Sequence, residues 1–430
     1  MHRSLSRRYK PLWQGAKMDQ YAPKFIKTIQ TIMAGGYDVD YISDSFIKST
    51  SCQDGMLKTS GGACYKALIV PAVKLVPVST LKKLVALVRQ GATVVFVEHY
   101  PEDVPGYASL EQNRKQLFAL LEQLPGEKSF QGTQAFNFGK GRIIVGSDYH
   151  ETLERTGVPA EELKTRWGVQ FIRRTHTEGH HYFISDLQAN DVEGWVTLNV
   201  PEKHIMCFDP MTGKRGIAKT REVEGKTQVY MQLKSGESII LQTFTRSLQG
   251  EPEWKYRKEM DYSLSLDHGW KLRFVESYPA IEGEFKIDTP SSWTEIAHPA
   301  AKINRGTALY SLELDLPELS ADDWVLDLGD VRESARVRIN GQEAGIAWAA
   351  PFRLSIGQLL KSGKNLIEVE VTNLPANSIA EMDRQGKQWR IFEDINMAKL
   401  NYEKGTYGHW ETLPSGLNGI VRLIPVKYLF

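Results

Sequence analysis

Two continuous apolar runs, separated by a segment of helical length, constrain the fold more than any other feature of this chain. The runs are ALIVPA at residues 67–72 and ATVVFVE at residues 92–98. Uninterrupted apolar strands of this kind are typical of a parallel sheet that is covered on both faces. The segment between them, STLKKLVALVRQG, predicts a helix with Ser79 as its N-cap and Gly91 as its stop. The order strand, helix, strand predicts a right-handed crossover in a parallel sheet.

Neighbouring segments extend this layer. Apolar residues at helical spacing predict a helix at residues 21–34, and alternation predicts a short strand at residues 37–43. A further helix at residues 110–124 and a strand at residues 141–147 complete the pattern. We therefore predict a flavodoxin-like parallel α/β layer domain at residues 15–150.

Beyond this domain the pattern changes to alternating strands punctuated by Gly, Asp and Pro. Strands at residues 193–200, 227–233 and 238–244 predict a small β-sandwich at residues 165–255, joined to the first domain by an acidic, helix-like segment at residues 152–163. Longer strands and almost no helix predict a jelly-roll β-sandwich at residues 265–430. The fold class is multidomain, an α/β domain followed by all-β domains.

Size and charge agree with this division and exclude some functions. A chain of 430 residues is long enough for two to four domains. The 53 Lys and Arg against 52 Asp and Glu give a net charge of +1, so the broad basic surface of a nucleic-acid binder is not expected. No run approaches the roughly 20 apolar residues of a membrane span.

The cysteines and the first residues give weaker signals. Three cysteines, Cys52, Cys64 and Cys207, have no metal-ligand spacing, and Cys52 with Cys64 is as consistent with free thiols as with a disulfide. The start MHRSLSRRYKPLW is basic but is not followed by the apolar stretch of a signal peptide, so no export signal is expected.

Residues 324–373 carry the most specific pattern in the chain. Asn340 and Gly341 predict a type I′ hairpin turn, and the segment Gly363, Lys364, Asn365 turns the chain into the strand LIEVEV. This region resembles the galactose-binding-like jelly roll, a sugar-binding type of domain, of family 2 glycoside hydrolases.

The whole order of domains resembles the region downstream of the catalytic barrel in glycoside hydrolase family 106, the α-L-rhamnosidases. The resemblance implies a parent enzyme that hydrolyses terminal α-L-rhamnosides by inversion, with two carboxylates on a large barrel, a calcium ion, and a periplasmic or secreted location. Inversion needs an acid and a base about 6.5 to 9.5 Å apart. The chain offers no positions onto which that pair can be carried, so we expect no catalytic residues and no cofactor in it.

Catalysis within the α/β domain has little support in the sequence. Its layout is similar to class I glutamine amidotransferase-like domains, which need a Cys nucleophile and a His. The turn at residues 73–77 has no Cys, Ser or His, and Glu98 with His99 at a strand end favour a structural role. The cluster THTEGHHYF at residues 175–183 favours a solvated turn over a metal site.

The terminal domain holds the better candidates, in two segments predicted as long connections, QWRIFEDIN and YGHWETLPSGLNG. Trp stacks on sugars, while carboxylates and His bond to hydroxyls. The sugar-binding candidates are Trp389, Arg390, Glu393, Asp394, His409, Trp410 and Glu411. An equally weighted alternative is that these segments pack against a catalytic barrel.

These observations predict a non-catalytic accessory and carbohydrate-binding region of an α-L-rhamnosidase-like glycoside hydrolase. Its expected partners are a rhamnose-containing glycan and a catalytic barrel, in the same protein or in a separate chain. Two alternatives stay open: a stand-alone carbohydrate-binding protein, and an active glycosidase that uses Glu393 and Glu411 as acid and base.

Overall fold

The computed structural model of the protein describes residues 23–126, 132–316, 320–391 and 405–430. The chain forms two compact units, the first made of Met1–Met231 with Ser238–Glu251 and the second of Gln232–Glu237 with Pro252–Phe430. Strands account for 39% of the chain and helices for 19%, which confirms a β-rich multidomain protein. The three domain boundaries predicted above stay predictions.

A four-stranded sheet with three parallel strands lies in the first unit. In sheet order its strands are Ala67–Val70, Thr93–Val97, Gly141–Gly146 and Gln134–Phe138. The first three run parallel, and Gln134–Phe138 pairs antiparallel with Gly141–Gly146. The predicted strand, helix, strand unit is thus confirmed.

The helix that joins the first two strands spans Val78–Gln90. Its buried residues Leu81, Leu84 and Leu87 pack with Val94 and Phe96 of the sheet in one core. Gly91 ends the helix at φ 128°, as predicted, a conformation that favours glycine. The predicted N-cap at Ser79 is wrong, because the helix begins earlier.

The helix start is set by Pro77. The carbonyl oxygen of Pro77 accepts hydrogen bonds from the backbone N–H of Thr80 at 3.0 Å and of Leu81 at 3.1 Å. Ser79 therefore lies inside the first turn. Pro77 precedes the helix without a side-chain cap.

Several short elements surround this sheet. The helices are Pro23–Ala34, Asp44–Ser49, Leu110–Leu121, Tyr149–Glu154 and Glu162–Thr165, and a small antiparallel sheet contains Ser51–Gln53, Met56–Lys58 and Cys64–Tyr65. The strand predicted at residues 37–43 is wrong, since no strand forms there. Asp40 accepts a hydrogen bond from the Tyr65 hydroxyl at 2.6 Å. The alternation of residues 37–43 does not by itself provide a neighbouring strand with which this segment could pair.

The segment predicted as one helix-like connection at residues 152–163 is divided between two short helices. Helix Tyr149–Glu154 ends before Gly157, which has φ 74°, and helix Glu162–Thr165 begins after Pro159. Pro lacks a backbone N–H and favours extended neighbours, so a continuous helix is excluded here.

Two antiparallel sheets complete the first unit. The larger contains, in sheet order, Arg215–Ile217, His204–Phe208, Ser238–Phe244, Gly179–Ser185 and Gln170–His176, and the smaller contains Val192–Leu198, Lys226–Leu233 and Thr220–Val223. The three strands predicted in this region are therefore present.

The second unit is built from two larger antiparallel sheets. The six-stranded sheet has the order Glu284–Ile287, Trp270–Tyr278, Arg305–Leu316, Gly363–Thr372, Ser334–Ile339, Gln342–Ala347, and the other contains Tyr256–Glu259, Arg422–Leu429, Asp323–Asp327 and Arg353–Ser355, with Leu264–Ser265 also paired to Arg422–Leu429. A minor pair joins Val331–Arg332 to Gly416–Leu417. Side chains from both large sheets share one core, which makes this unit a β-sandwich.

In the second unit the sequence predicted the hairpin turn but not the α-helix found among the described residues. Asn340 and Gly341 have φ 52° and 78° between paired Ile339 and Gln342, which confirms the type I′ turn. Helix Ala376–Arg384 was not predicted. Short 3-10 helices span Trp293–Glu295, Pro299–Ile303 and Gly357–Leu359. Across the described parts of the chain, no helix has the length and apolar character needed to cross a membrane.

Candidate functional site

Three aromatic rings meet beside the helix Ala376–Arg384 in the second unit. The ring centroids of Trp389 and Tyr407 are 5.7 Å apart, and those of Tyr407 and Trp410 are 4.5 Å apart. Both pairs are tilted, by 51° and 48°. We call Trp389, Tyr407 and Trp410 the aromatic cluster.

Asp383 fixes two members of the aromatic cluster. One carboxylate oxygen accepts a hydrogen bond from the indole Nε1–H of Trp389 at 2.5 Å, and the other accepts from the backbone N–H of Tyr407. Helix Ala376–Arg384 therefore positions the cluster through its next-to-last residue. Arg384, the last residue, donates to the carbonyl oxygen of Gly408 at 3.1 Å.

A guanidinium lies against the same rings. The Cζ atom of Arg390 is 5.1 Å from the Trp389 ring centroid and 5.2 Å from that of Tyr407, and the side chain also donates to the carbonyl oxygen of Gly405. These distances fit cation–π contacts. Trp410 stays 40% exposed, so part of its surface is open to a ligand.

The charge of Asp383 is part of this arrangement. Its hydrogen bond from Trp389, followed by that from the Tyr407 backbone, lowers the pKa of Asp383 below its ordinary value. Both donors favour the ionised form, since a carboxylate accepts at both oxygens.

We expect the aromatic cluster to loosen when Asp383 loses its charge. A carboxyl whose pKa is lowered in the folded protein stabilises the fold at pH values above its ordinary pKa near 4. It loses that stabilisation as the pH falls through its pKa in the folded protein. Asp383→Asn mimics the loss at neutral pH, because an amide nitrogen must then face one of the two donors. Hydrogen exchange of the Trp389 indole N–H should become faster in this variant.

The matched control is Glu381→Gln. Glu381 lies on the same helix and bonds to Arg384 and Gln385 instead of to the rings. Unchanged exchange in Asp383→Asn, or equally fast exchange in both variants, would contradict the role of Asp383.

The structure brings together only part of the predicted set. Trp389, Arg390 and Trp410 lie in one place, whereas His409 and Glu411 are exposed and form no ion pair within the described residues. Glu393 and Asp394 lie outside the described residues. Asp383 and Tyr407 could not be chosen as site residues from the sequence, because their contact spans 24 positions and has no local signal.

Glu98 and His99 lie at the carboxyl end of the strand Thr93–Val97, as predicted. Glu98 has φ 66°, an uncommon value for a residue other than glycine, and its carboxylate is 3.0 Å from the Lys24 amine. A ring nitrogen of His99 lies 2.7 Å from the carbonyl oxygen of Tyr100.

The histidine-rich segment forms a hairpin, with its turn between strands Gln170–His176 and Gly179–Ser185. His176 contacts the carbonyl oxygen of Thr243 at 3.1 Å, and His180 lies 3.2 Å from a carboxylate oxygen of Glu202. Within the described ranges, no three His, Cys, Asp or Glu residues are grouped so that they could hold a metal ion. Cys52, Cys64 and Cys207 are free.

Comparisons with known proteins find similarity to glycosidases. Residues 17–220 match the family model described as alpha-L-rhamnosidase. The structure is similar to that of a rhamnosidase from Novosphingobium sp. PP1Y, with a TM-score of 0.69, 25% identity, and coverage of 90% of this chain and 36% of that one. A putative beta-glucuronidase of Formosa agariphila is 29% identical over 197 residues, 41% of this chain and 17% of the relative.

The chain thus spans well under two thirds of each of these relatives. The matches support the resemblance to α-L-rhamnosidases and make the chain a glycosidase-related protein.

Proposed function

We propose that this chain is a non-catalytic, carbohydrate-binding accessory region of an α-L-rhamnosidase-like glycoside hydrolase. The aromatic cluster with its guanidinium is the observation that carries the proposal. The match of residues 17–220 to the alpha-L-rhamnosidase model supports the class of the parent enzyme.

The chemistry of the aromatic cluster suits a sugar. Aromatic rings present large flat apolar surfaces, against which the C–H face of a pyranose packs. Arg390 beside Trp389 and Tyr407 supplies N–H donors for hydroxyl oxygens. His409 and Glu411, both exposed, flank Trp410 in the chain and supply further polar groups. Because Asp383 holds the rings before a ligand arrives, binding costs less conformational entropy.

The parent activity is the hydrolysis of terminal α-L-rhamnosides, and its chemistry belongs to the rest of the parent enzyme. An inverting reaction requires an acid that protonates the leaving oxygen and a base that activates water. We assign neither role, and no metal, to this region.

Exposed apolar side chains on the first unit support an accessory role. Tyr41 is 68% and Phe46 61% exposed, and Phe25 contacts Tyr41 with ring centroids 5.7 Å apart. Contiguous exposed apolar surface is a feature of interaction sites. We assign this surface to docking against the catalytic part of the parent enzyme. The rhamnosidase from Novosphingobium sp. PP1Y is much longer than this chain, which covers 36% of it.

We also propose the finer fold descriptions. The four-stranded sheet with its crossover helix is consistent with a flavodoxin-like layer. The sandwich of the second unit is consistent with a galactose-binding-like jelly roll.

The test combines catalysis and binding on the whole chain. We expect no release of p-nitrophenol from p-nitrophenyl α-L-rhamnoside. In calorimetric titration with L-rhamnose we expect weak binding, and Trp410→Ala should weaken it about tenfold, which is about 1.4 kcal/mol. Trp348→Ala is the matched control, since Trp348 is 62% exposed and lies outside the aromatic cluster.

Each outcome has a consequence. Turnover by the chain would overturn the non-catalytic role and direct mutagenesis to Glu411 and Glu393. Absence of binding, or binding that Trp348→Ala weakens as much as Trp410→Ala, would overturn the assignment of the sugar to the aromatic cluster.

A stand-alone carbohydrate-binding protein is the second candidate. One observation favours it: every described contact of the aromatic cluster is made within the second unit. Replacing Tyr41 and Phe46 by Ser distinguishes the two, because only an accessory region would lose association with a separately produced catalytic part.

A further inference from the structure

The first unit contains a cavity that the aromatic cluster does not use. Its volume is about 770 Å³, and it lies between the end of helix Pro23–Ala34, helix Tyr149–Glu154 and residues 157–160. Ligand pockets in proteins are typically about 300 to 1,000 Å³. The cavity is therefore large enough for a short oligosaccharide.

One wall of this cavity combines aromatic rings with hydrogen-bonding groups. Tyr37, Tyr149, His150 and Glu154 line it. The Tyr149 hydroxyl lies 2.9 Å from that of Thr28, which fixes the ring, and His150 Nδ1 lies 3.4 Å from a carboxylate oxygen of Glu154. Burial, and then the charge of Glu154, raise the pKa of Tyr37, so its hydroxyl keeps its proton and can donate.

The rest of the lining is largely apolar, and its polar side chains are Thr31, Thr165, Asn199 and Lys226. Ala34, Leu153, Val158, Pro159 and Ala160 contribute the apolar surface, and Asn199 and Lys226 contribute an amide and an amine. A pyranose has the same division between C–H faces and a rim of hydroxyls. Carboxylate and ammonium groups both line the cavity, which favours a neutral ligand over an anion.

We propose that this cavity is a second carbohydrate-binding site, which takes neutral pyranose units of the same glycan as the aromatic cluster. The choice of glycan rests on the proposed function. The geometry of the cavity does not, because Tyr37, Tyr149, His150 and Glu154 all belong to the first unit. Two sites on one chain would bind a polymeric glycan more tightly than either site alone.

The first test blocks the cavity with a large side chain. Ala34→Trp adds an indole at an exposed position that lines the cavity, and Met33→Trp adds the same group at the neighbouring exposed position, which does not line it. Both changes are made in the Trp410→Ala background, in which binding to the aromatic cluster is weakened, so that the cavity contributes more of the binding that remains. The probe is L-rhamnose, and its binding to the whole chain is measured by calorimetric titration.

We expect the Trp410→Ala chain to retain residual binding, Ala34→Trp to reduce that binding at least tenfold, and Met33→Trp to leave it unchanged. Residual binding that survives Ala34→Trp, or no residual binding, would overturn the second site. The latter result leaves the aromatic cluster as the sole sugar site. If the single variant Ala34→Trp abolished binding of L-rhamnose and the single variant Trp410→Ala left it unchanged, this would support the cavity as a sugar site and overturn the aromatic cluster as one.

A second pair of variants tests the chemistry of the cavity without filling it. Glu154→Gln keeps the shape of the side chain but removes its charge, and it should weaken residual binding about fivefold. Glu151→Gln is the matched control, because Glu151 lies on the same helix, pairs with Arg155 at 2.7 Å and does not line the cavity. Equal effects of the two variants would contradict a ligand contact at Glu154.

Discussion

Replacing Glu161 by Ala is expected to lower the free energy of unfolding of the first unit by about 3 to 5 kcal/mol. The side chain is only 2% exposed, and its carboxylate accepts three hydrogen bonds. The donors are the Arg173 guanidinium at 2.6 Å, the Tyr182 hydroxyl at 2.8 Å and the Asn199 backbone N–H at 3.1 Å. Alanine would leave a half-buried cation and two polar groups without their acceptor.

The position of Glu161 explains why the loss should spread beyond one side chain. Its backbone N–H donates to the carbonyl oxygen of Gly36 at 2.9 Å, directly after helix Pro23–Ala34. Arg173 and Tyr182 lie on two paired strands of the five-stranded sheet. Glu161 thus connects the helix end to that sheet within the first unit.

The cost of truncation is larger than the net contribution of the ion pair. Burial raises the pKa of Glu161, and the charge of Arg173 lowers it only part of the way back. The cost of desolvating Glu161 therefore offsets much of its electrostatic attraction to Arg173. The expected loss of stability comes mainly from the groups left unpaired.

Hydrogen–deuterium exchange during urea denaturation checks this prediction segment by segment. Glu162→Ala is the control, because Glu162 pairs with Arg166 at the surface and should cost less than about 0.5 kcal/mol. A loss below about 1 kcal/mol in Glu161→Ala, or lost protection confined to the second unit, would refute the role of Glu161.

Local patterns predicted the elements whose formation depends on nearby residues. The apolar runs at residues 67–72 and 92–98 became neighbouring parallel strands, and Gly91 ended the helix between them. Asn340 and Gly341 adopt the left-handed conformations that their residue types favour. In each case the sequence signal and the physical cause lie within a few residues of each other.

The failures share a dependence on distant partners. Residues 37–43 alternate like a strand, but Asp40 bonds to the Tyr65 side chain 25 positions away. Helix Ala376–Arg384 has Asn377 and Ser378 buried on its inner face, and Asn377 bonds to the backbone of Leu413, which no helical pattern indicates.

The candidate site shows the same division. Tryptophan and arginine in the predicted connections were recognisable as sugar-binding residue types, and Trp389, Arg390 and Trp410 do lie together. The residue that holds them, Asp383, could not be chosen from the sequence, because its function depends on where residues 405–410 fold back. The residue types of the site could be recognised in the sequence, but their arrangement depends on the tertiary structure.

Replacing Trp270 by Ala is expected to lower the free energy of unfolding of the second unit by about 3 to 5 kcal/mol. Trp270 is fully buried in the core that both large sheets share, and its indole Nε1–H donates to the carbonyl oxygen of Leu266 at 2.6 Å. Alanine would leave a cavity in the sandwich and an unpaired carbonyl. Trp270→Phe keeps much of the volume but loses the hydrogen bond, so it should cost about 1 to 3 kcal/mol.

Trp348→Ala is again the control, since an exposed side chain outside the core should change stability by less than about 0.5 kcal/mol. Exchange protection should fall in strands Trp270–Tyr278 and Arg305–Leu316, which pair with each other. Because each unit has its own core, the four-stranded sheet of the first unit should keep its protection in Trp270→Ala. Equal loss in both units would mean that they unfold as one cooperative body.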